Sequence, residues 1–270
     1  MADMPGMSAA PEAPAPQTVS PEGSPDDQKS FGEVPTFAEL DDHLDSLPPP
    51  IKDHEIYSMF LFDLFEYRLN DTGADTFVWD LVGWVGGDTN RLWIKTEGSQ
   101  ELSDAFTGEG DLQLLYGRNI APFWDFQIGV RGLQSFGAGP EQSARSYAVI
   151  GFQGLAPYLF EVEPSLYISD QGEVSGALTV SFDILLTQKL VLQPRFEGEF
   201  SVQGDERFNT GPGVNGMDLG IRLRYEIRRE FAPYIGVSWL RSFGETAELA
   251  REEDEAYSQV AFVAGLRLWW

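Results

Sequence analysis

From Ile56 to Trp270 apolar and polar residues alternate with a period of two. The last stretch makes the pattern plain. Val260, Phe262, Ala264, Leu266, Leu268 and Trp270 share one parity, while Gln259, Gly265 and Arg267 interrupt the other. A strand turns successive side chains to opposite faces, so such a segment has one continuous apolar face and one face that tolerates water. Two architectures accept it. In a soluble sandwich the apolar face meets a second sheet, and in an outer-membrane barrel it meets lipid.

The pattern divides into about twelve runs, each of a length that a tilted strand needs to cross a bilayer. They are Ile56–Leu69, Thr76–Gly86, Arg91–Gly98, Phe106–Arg118, Phe123–Phe136, Ala144–Gly154, Tyr158–Ser169, Val174–Leu186, Leu190–Gln203, Gly216–Arg228, Phe231–Phe243 and Tyr257–Trp270. Short connections such as Gly87–Asn90, Asn119–Pro122 and Arg229–Glu230 alternate with a set that is mostly longer and more polar, such as Gly204–Asn215 and Gly244–Ala256. Short periplasmic turns and longer external loops are expected of outer-membrane barrels, whereas a sandwich imposes no such rule. Three of the short connections are expected to repeat one local sequence, with proline at a strand entrance: Ile120–Phe123, Leu155–Tyr158 and Phe231–Tyr234.

The polar face separates the two architectures. Leu219, Ile221, Leu223, Tyr225 and Ile227 alternate with Asp218, Arg222, Arg224 and Glu226, and Leu190, Leu192, Phe196 and Phe200 oppose Gln193, Arg195, Glu197 and Glu199. Arginines and acids in mid-strand fit a salt-bridged lumen better than a free surface. The expected fold is therefore all-β: a transmembrane antiparallel up-and-down barrel of about twelve strands, occupying 51–270. An even strand number leaves both ends of the barrel segment on one side. The final strand should pair with both Phe231–Phe243 and Ile56–Leu69, which places Arg267 beside Asp63 or Glu66.

Residues 1–50 read differently. They contain ten of the seventeen prolines, set among Ala, Ser, Glu and Asp. Such a tail buries too little apolar surface to offset its ordering entropy and is expected to be mostly disordered. A short helix is expected over 36–47, where Thr36 and Glu39 have capping-box spacing and Phe37, Leu40, Leu44 and Leu47 form a stripe. The first residues lack a basic segment followed by an apolar core, so no signal peptide is expected in this chain. A formal charge of −25 excludes a nucleic-acid partner, since no basic patch faces phosphates. With no cysteine, a thiolate metal site and a disulfide framework are both excluded.

Catalysis is not expected. Both histidines, His43 and His54, precede the first strand, so no Ser–His or Asp–His pair forms on the wall. Metal ligation is the livelier reading. Met1, Met4 and Met7 stand at i, i+3 and i+6, and thioethers are soft ligands suited to Cu(I). The alternative is chance spacing around an initiator methionine. His54 lies at the mouth of the first strand, with Met59, Asp63 and Glu66 beyond it, a set that suits Cu(II); the alternative is a surface imidazole. Lumenal acids, among them Glu66, Asp80, Glu97, Asp111 and Glu161, offer either a cation relay or a structural ion-pair network.

Several ordered segments resemble the copper resistance protein B family (CopB/PcoB) of bacterial outer membranes. They are Ile56–Phe60, Phe65–Arg68, Trp79–Asp80, Asn90–Gly98, Ala121–Arg131, Leu155–Val162, Leu185–Arg195, Leu219–Tyr234 and Gly265–Trp270, spread over essentially all of 54–270. The resemblance implies an outer-membrane barrel of a copper-resistance system, with copper bound by a Met- and His-rich N-terminal region. It implies copper ions as ligand, with Met4, Met7 and His54 as ligands. Its expected partners are outer-membrane lipid and a periplasmic copper-binding protein or oxidase. This tail departs from the family in having few methionines and His43 as its one histidine, so a large storage capacity is not expected. A general small-solute pore or structural barrel is the competing reading.

Overall fold

The computed structural model describes residues 55–103, 107–137, 144–205, 210–252 and 256–270. The expected helix over 36–47 and the order of the tail lie outside them. Thirteen strands form one antiparallel sheet: β1 (Tyr57–Asn70), β2 (Thr76–Gly86), β3 (Asn90–Glu101), β4 (Gly108–Ala121), β5 (Trp124–Phe136), β6 (Ala144–Ala156), β7 (Phe160–Ser169), β8 (Val174–Ser181), β9 (Ile184–Leu185), β10 (Leu190–Ser201), β11 (Gly213–Tyr225), β12 (Phe231–Ser242) and β13 (Ser258–Trp269). A helix, α1 (Gly244–Glu252), follows β12.

Strands pair with their neighbours in sequence, except that β8 and β9 both pair with β10 rather than with each other, and the ring closes where β13 meets β1. At this seam Arg68 faces Val263 and Phe62 faces Leu268, and Phe60 and Trp270 exchange both backbone hydrogen bonds at 3.0 Å. Closure removes the free edge, which no open sheet in lipid can tolerate. The first strand starts and the last strand ends at the short-turn rim, since Tyr57 pairs with Gly86 and Phe231 with Leu268.

One expected strand is interrupted. The run Val174–Leu186 breaks into β8 and the two-residue β9 because its neighbour β10 carries Pro194 opposite the break. Ser181 pairs with Arg195 and Ile184 with Leu192, and Pro194, lacking an N–H, can only accept, from the Phe182 amide at 3.3 Å. β9 is thus an extra fragment of a twelve-strand wall. The Ala-Pro repeat also needs correction. Phe123 and Tyr158 lie at turns with φ of 68° and 66°, but Phe231–Tyr234 lies inside β12.

The distribution of burial is inverted relative to a water-soluble domain. Glu66 is 0% exposed and Arg222 and Lys95 are each 1% exposed, while Leu112 is 52% and Val130 58% exposed. Charged side chains are almost never fully buried unless paired, and here the pairing is internal. An apolar exterior around a polar interior is stable only where the exterior meets hydrocarbon. Part of the interior is nonetheless apolar: Trp93, Leu115, Val149 and Tyr167 form a buried cluster on β3, β4, β6 and β7. No helix among the described residues is long and apolar enough to cross a membrane, which says nothing of the strands.

Candidate functional site: the charged lumen

The alternation that makes the wall apolar outside delivers every second residue to the lumen. Glu66 and Arg68 of β1, Arg222 of β11 and Tyr234 of β12 meet there. Arg222 donates to both oxygens of Glu66, at 2.9 and 2.8 Å, Arg68 Nε donates to Oε1 at 2.8 Å, and the Tyr234 hydroxyl donates to Oε2 at 3.0 Å. Arg68 also reaches Asp218 at 2.9 Å. A glycine admits the phenol: a Cβ at Gly265 would lie 2.6 Å from the Tyr234 hydroxyl. Below this group Arg267 donates to Asp63 at 2.9 Å, one of the two partners expected for it.

Other pairs cross the lumen between strands that are not neighbours. Arg195 on β10 donates to Asp80 on β2 at 2.9 Å and to Glu197 at 3.0 Å. Lys95 on β3 reaches Glu163 on β7 at 2.5 Å and Gln127 on β5 at 2.9 Å. Arg91 binds Asp125 at 2.7 Å and lies 4.7 Å from the Trp84 ring. These bridges divide the interior. Arg195 is the sixth residue of the twelve in β10, so its bridge to Asp80 lies near mid-depth.

On the long-loop side of that bridge is a cavity of about 280 Å³, lined by Asp80, Glu97, Glu109, Glu197, Glu199 and Asp218 with Arg68, Arg131 and Arg195 among them. A second space of about 290 Å³ adjoins it and shares Glu109, Arg131 and Glu199. Asp111 is held by Arg131 at 2.5 Å and by Gln113 at 2.9 Å. Glu97, Glu109 and Glu199 form no ion pair in the described structure. The Oδ1 atom of Asp80 is buried without a hydrogen-bond partner. This end of the lumen therefore holds more carboxyl groups than guanidinium groups around the space between the loops.

Of the expected metal ligands, Met1, Met4, Met7, His43 and His54 lie outside the described residues. Met59 lies in register with Trp84, which is followed across the sheet by Trp93, near the short-turn rim. Asp63 and Glu66 are on the lumen wall but engaged by arginines, as described. Among the described residues no group of three or more His, Asp or Glu side chains is close enough to hold an ion. The lumen thus offers steering by oxygen ligands rather than a preformed cage. Glu109, Glu197 and Glu199 belong with the cavity acids. Their parity marks them as lumenal, but the proximity of β4 to β10 across the barrel is not encoded in any one run.

The chain is 45% identical over 219 residues to copper resistance protein B of Escherichia coli, covering 81% of this chain and 71% of that one. It is 40% identical over 219 residues to the copper resistance protein B homolog of Pseudomonas syringae pv. tomato (strain ATCC BAA-871 / DC3000), covering 81% and 72%. Among solved structures it is similar to outer membrane phospholipase A from Escherichia coli, with TM-score 0.48 and 14% identity over 78% of this chain and 92% of that one. A KdgM porin gives TM-score 0.44 and 9% identity, over 78% and 98%. The family described as copper resistance protein B precursor (CopB) matches residues 56–270, which is the whole of the barrel. The chain belongs to the copper resistance protein B family, and its role is in copper resistance.

Proposed function

We propose that this barrel sits in the bacterial outer membrane, binds copper ions near its periplasmic mouth and helps sequester them or pass them through its lumen. The observation that carries this reading is the long-loop cavity. Its carboxylates Glu97, Glu109 and Glu199 form no ion pair among the described residues, and Asp80 turns an unsatisfied oxygen into buried space beside them. Carboxylates lining a cleft with low-dielectric walls focus the field and raise the local concentration of cations. Oxygen ligands without a closed coordination shell favour rapid exchange, which suits passage of Cu(II) better than storage.

Tighter binding falls to the softer ligands of the segment before β1: Met4, Met7, His43 and His54, with Met1. β1 begins at the short-turn rim, the rim that carries Met59. Copper is the cargo in this reading, and a periplasmic copper-binding protein or oxidase is the partner at that rim. A general solute pore is the competing reading, and the Arg195–Asp80 and Lys95–Glu163 bridges, which cross the lumen between non-neighbouring strands, weigh against a wide one.

The test is copper flux into proteoliposomes together with metal analysis of the purified chain. Wild type should admit copper faster than a Glu97→Gln, Glu109→Gln, Glu199→Gln variant. A Met4→Ala, Met7→Ala, His54→Ala variant should lose most bound copper while keeping its flux. Equal flux in wild type and the glutamine variant, with conductance indifferent to copper, would favour the general pore.

A further inference from the structure

The lipid-facing wall has a hollow where its side chains shrink. Ala264 on β13 lies in register with Tyr67 of β1 on one side and Ile235 of β12 on the other. With Ile221, Val237 and Phe262 they outline a depression of about 790 Å³. Along β12 from Val237 the next outward residues are Trp239 and Arg241. At about 3.3 Å per residue, Arg241 stands ~13 Å above the hollow, at the long-loop rim.

Arg241 is unlike the lumenal arginines. It is exposed and makes no ion pair among the described residues, and its guanidinium carbon lies 5.8 Å from the Trp239 ring and 5.6 Å from the Phe243 ring. Arg68, Arg131, Arg195, Arg222, Arg224 and Arg267, by contrast, each hold a carboxylate. In a chain of −25 formal charge, an exposed cation flanked by two aromatic rings at the rim above an apolar hollow calls for an anionic head with a hydrocarbon tail.

We propose that Arg241 and the hollow over Ala264 form a seat for one phosphate-bearing acyl lipid. The phosphate meets the Arg241 guanidinium, and an acyl chain runs down past Trp239 into the hollow. A second copy of the chain docked symmetrically about this face would bring like charges together, which disfavours a dimer there. The inference rests on the membrane-embedded reading of the barrel.

The test uses the full chain in detergent micelles, examined by native mass spectrometry with three probes: dioleoyl phosphatidylglycerol, the matching diacylglycerol, and inorganic phosphate. Wild type should retain one phosphatidylglycerol and little of either other probe. Arg241→Gln should lower that retention about fivefold, the worth of one arginine at an anionic lipid surface. Ala264→Leu, which fills the hollow without touching the charge, should also lower it. Equal retention of phosphatidylglycerol and diacylglycerol, or indifference to either substitution, overturns the seat, as does retention of inorganic phosphate alone, which marks an adventitious anion. Liposome flotation separates the two levels of the argument. A chain that inserts but shows no lipid preference overturns the seat only, and a chain that does not insert overturns the membrane reading.

Discussion

On the short-turn side of the Arg195–Asp80 bridge, Asp63 holds Arg267, Asp183 holds Arg224, Glu163 holds Lys95 and Asp125 holds Arg91. Glu161 is the exception, with only a 3.4 Å contact from the Ser181 hydroxyl. On the long-loop side Arg131 holds Asp111 and Arg68 holds Asp218, yet Glu97, Glu109 and Glu199 form no ion pair among the described residues around the cavity. Buried ion pairs contribute little net stability beside a well-packed apolar core, but breaking one leaves an uncompensated charge. The paired acids therefore fix the wall, whereas the unpaired acids set a potential. An acid's pairing should predict whether its loss is felt in stability or in transport.

The largest effect is expected where pairing is most complete. Glu66→Ala strands Arg222 and Arg68 and should cost about 3–5 kcal/mol, read from denaturant unfolding of the barrel in micelles. A stability equal to wild type would erase the distinction between paired and unpaired acids. The opposite limb is the triple substitution Glu97→Gln, Glu109→Gln, Glu199→Gln. It should leave stability unchanged or raised, yet slow copper flux by about tenfold at low salt, with the difference shrinking as salt screens the field. An identical deficit at all ionic strengths would point to a lost ligand rather than a lost potential.

Arg195→Ala tests the boundary itself. It frees both Asp80 and Glu197 and should widen the path between the halves, raising single-channel conductance in planar bilayers and increasing cation preference. Unchanged conductance would place the constriction elsewhere, with Lys95–Glu163 the next to cut. The smallest effect is expected at the seam. Phe60 and Trp270 stack at 5.9 Å between ring centroids, and Trp270→Ala should cost about 0.5–1.5 kcal/mol, beyond the area it uncovers, in the same unfolding measurement.

Much of this could be read from the chain because one period governs it. The twelve runs, the outward rows such as Leu219–Ile221–Leu223 and the pairing of Arg267 with Asp63 all follow from alternation plus closure. What escaped has a common cause. The break between β8 and β9 is imposed by Pro194 on a neighbouring strand, and the run Val174–Leu186 contains no sign of it. The bridge from Arg195 to Asp80 depends on the bore of the ring, which register along a hairpin does not specify. α1 was read as a polar loop, since Gly244–Glu252 buries only Ala247 and lacks a strong apolar stripe. Phe231–Tyr234 matched two turns in sequence but entered β12, where Tyr234 is drawn inward by Glu66.

The order of strands around the ring is the order along the chain, and this bears on how the barrel comes into being. Each hairpin joins strands separated by one connection, so nearly all of the pairing is local in sequence. The single exception is the junction of β1 with β13, which brings Phe60 within hydrogen-bonding distance of Trp270. The cost of closing a long loop is therefore concentrated in one event, and it comes after the hairpins have stiffened the intervening chain. Until that event two bare edges face the surroundings, one at each end of the sheet. Afterwards there are none, and the first and last residues of the barrel hold the same gate shut.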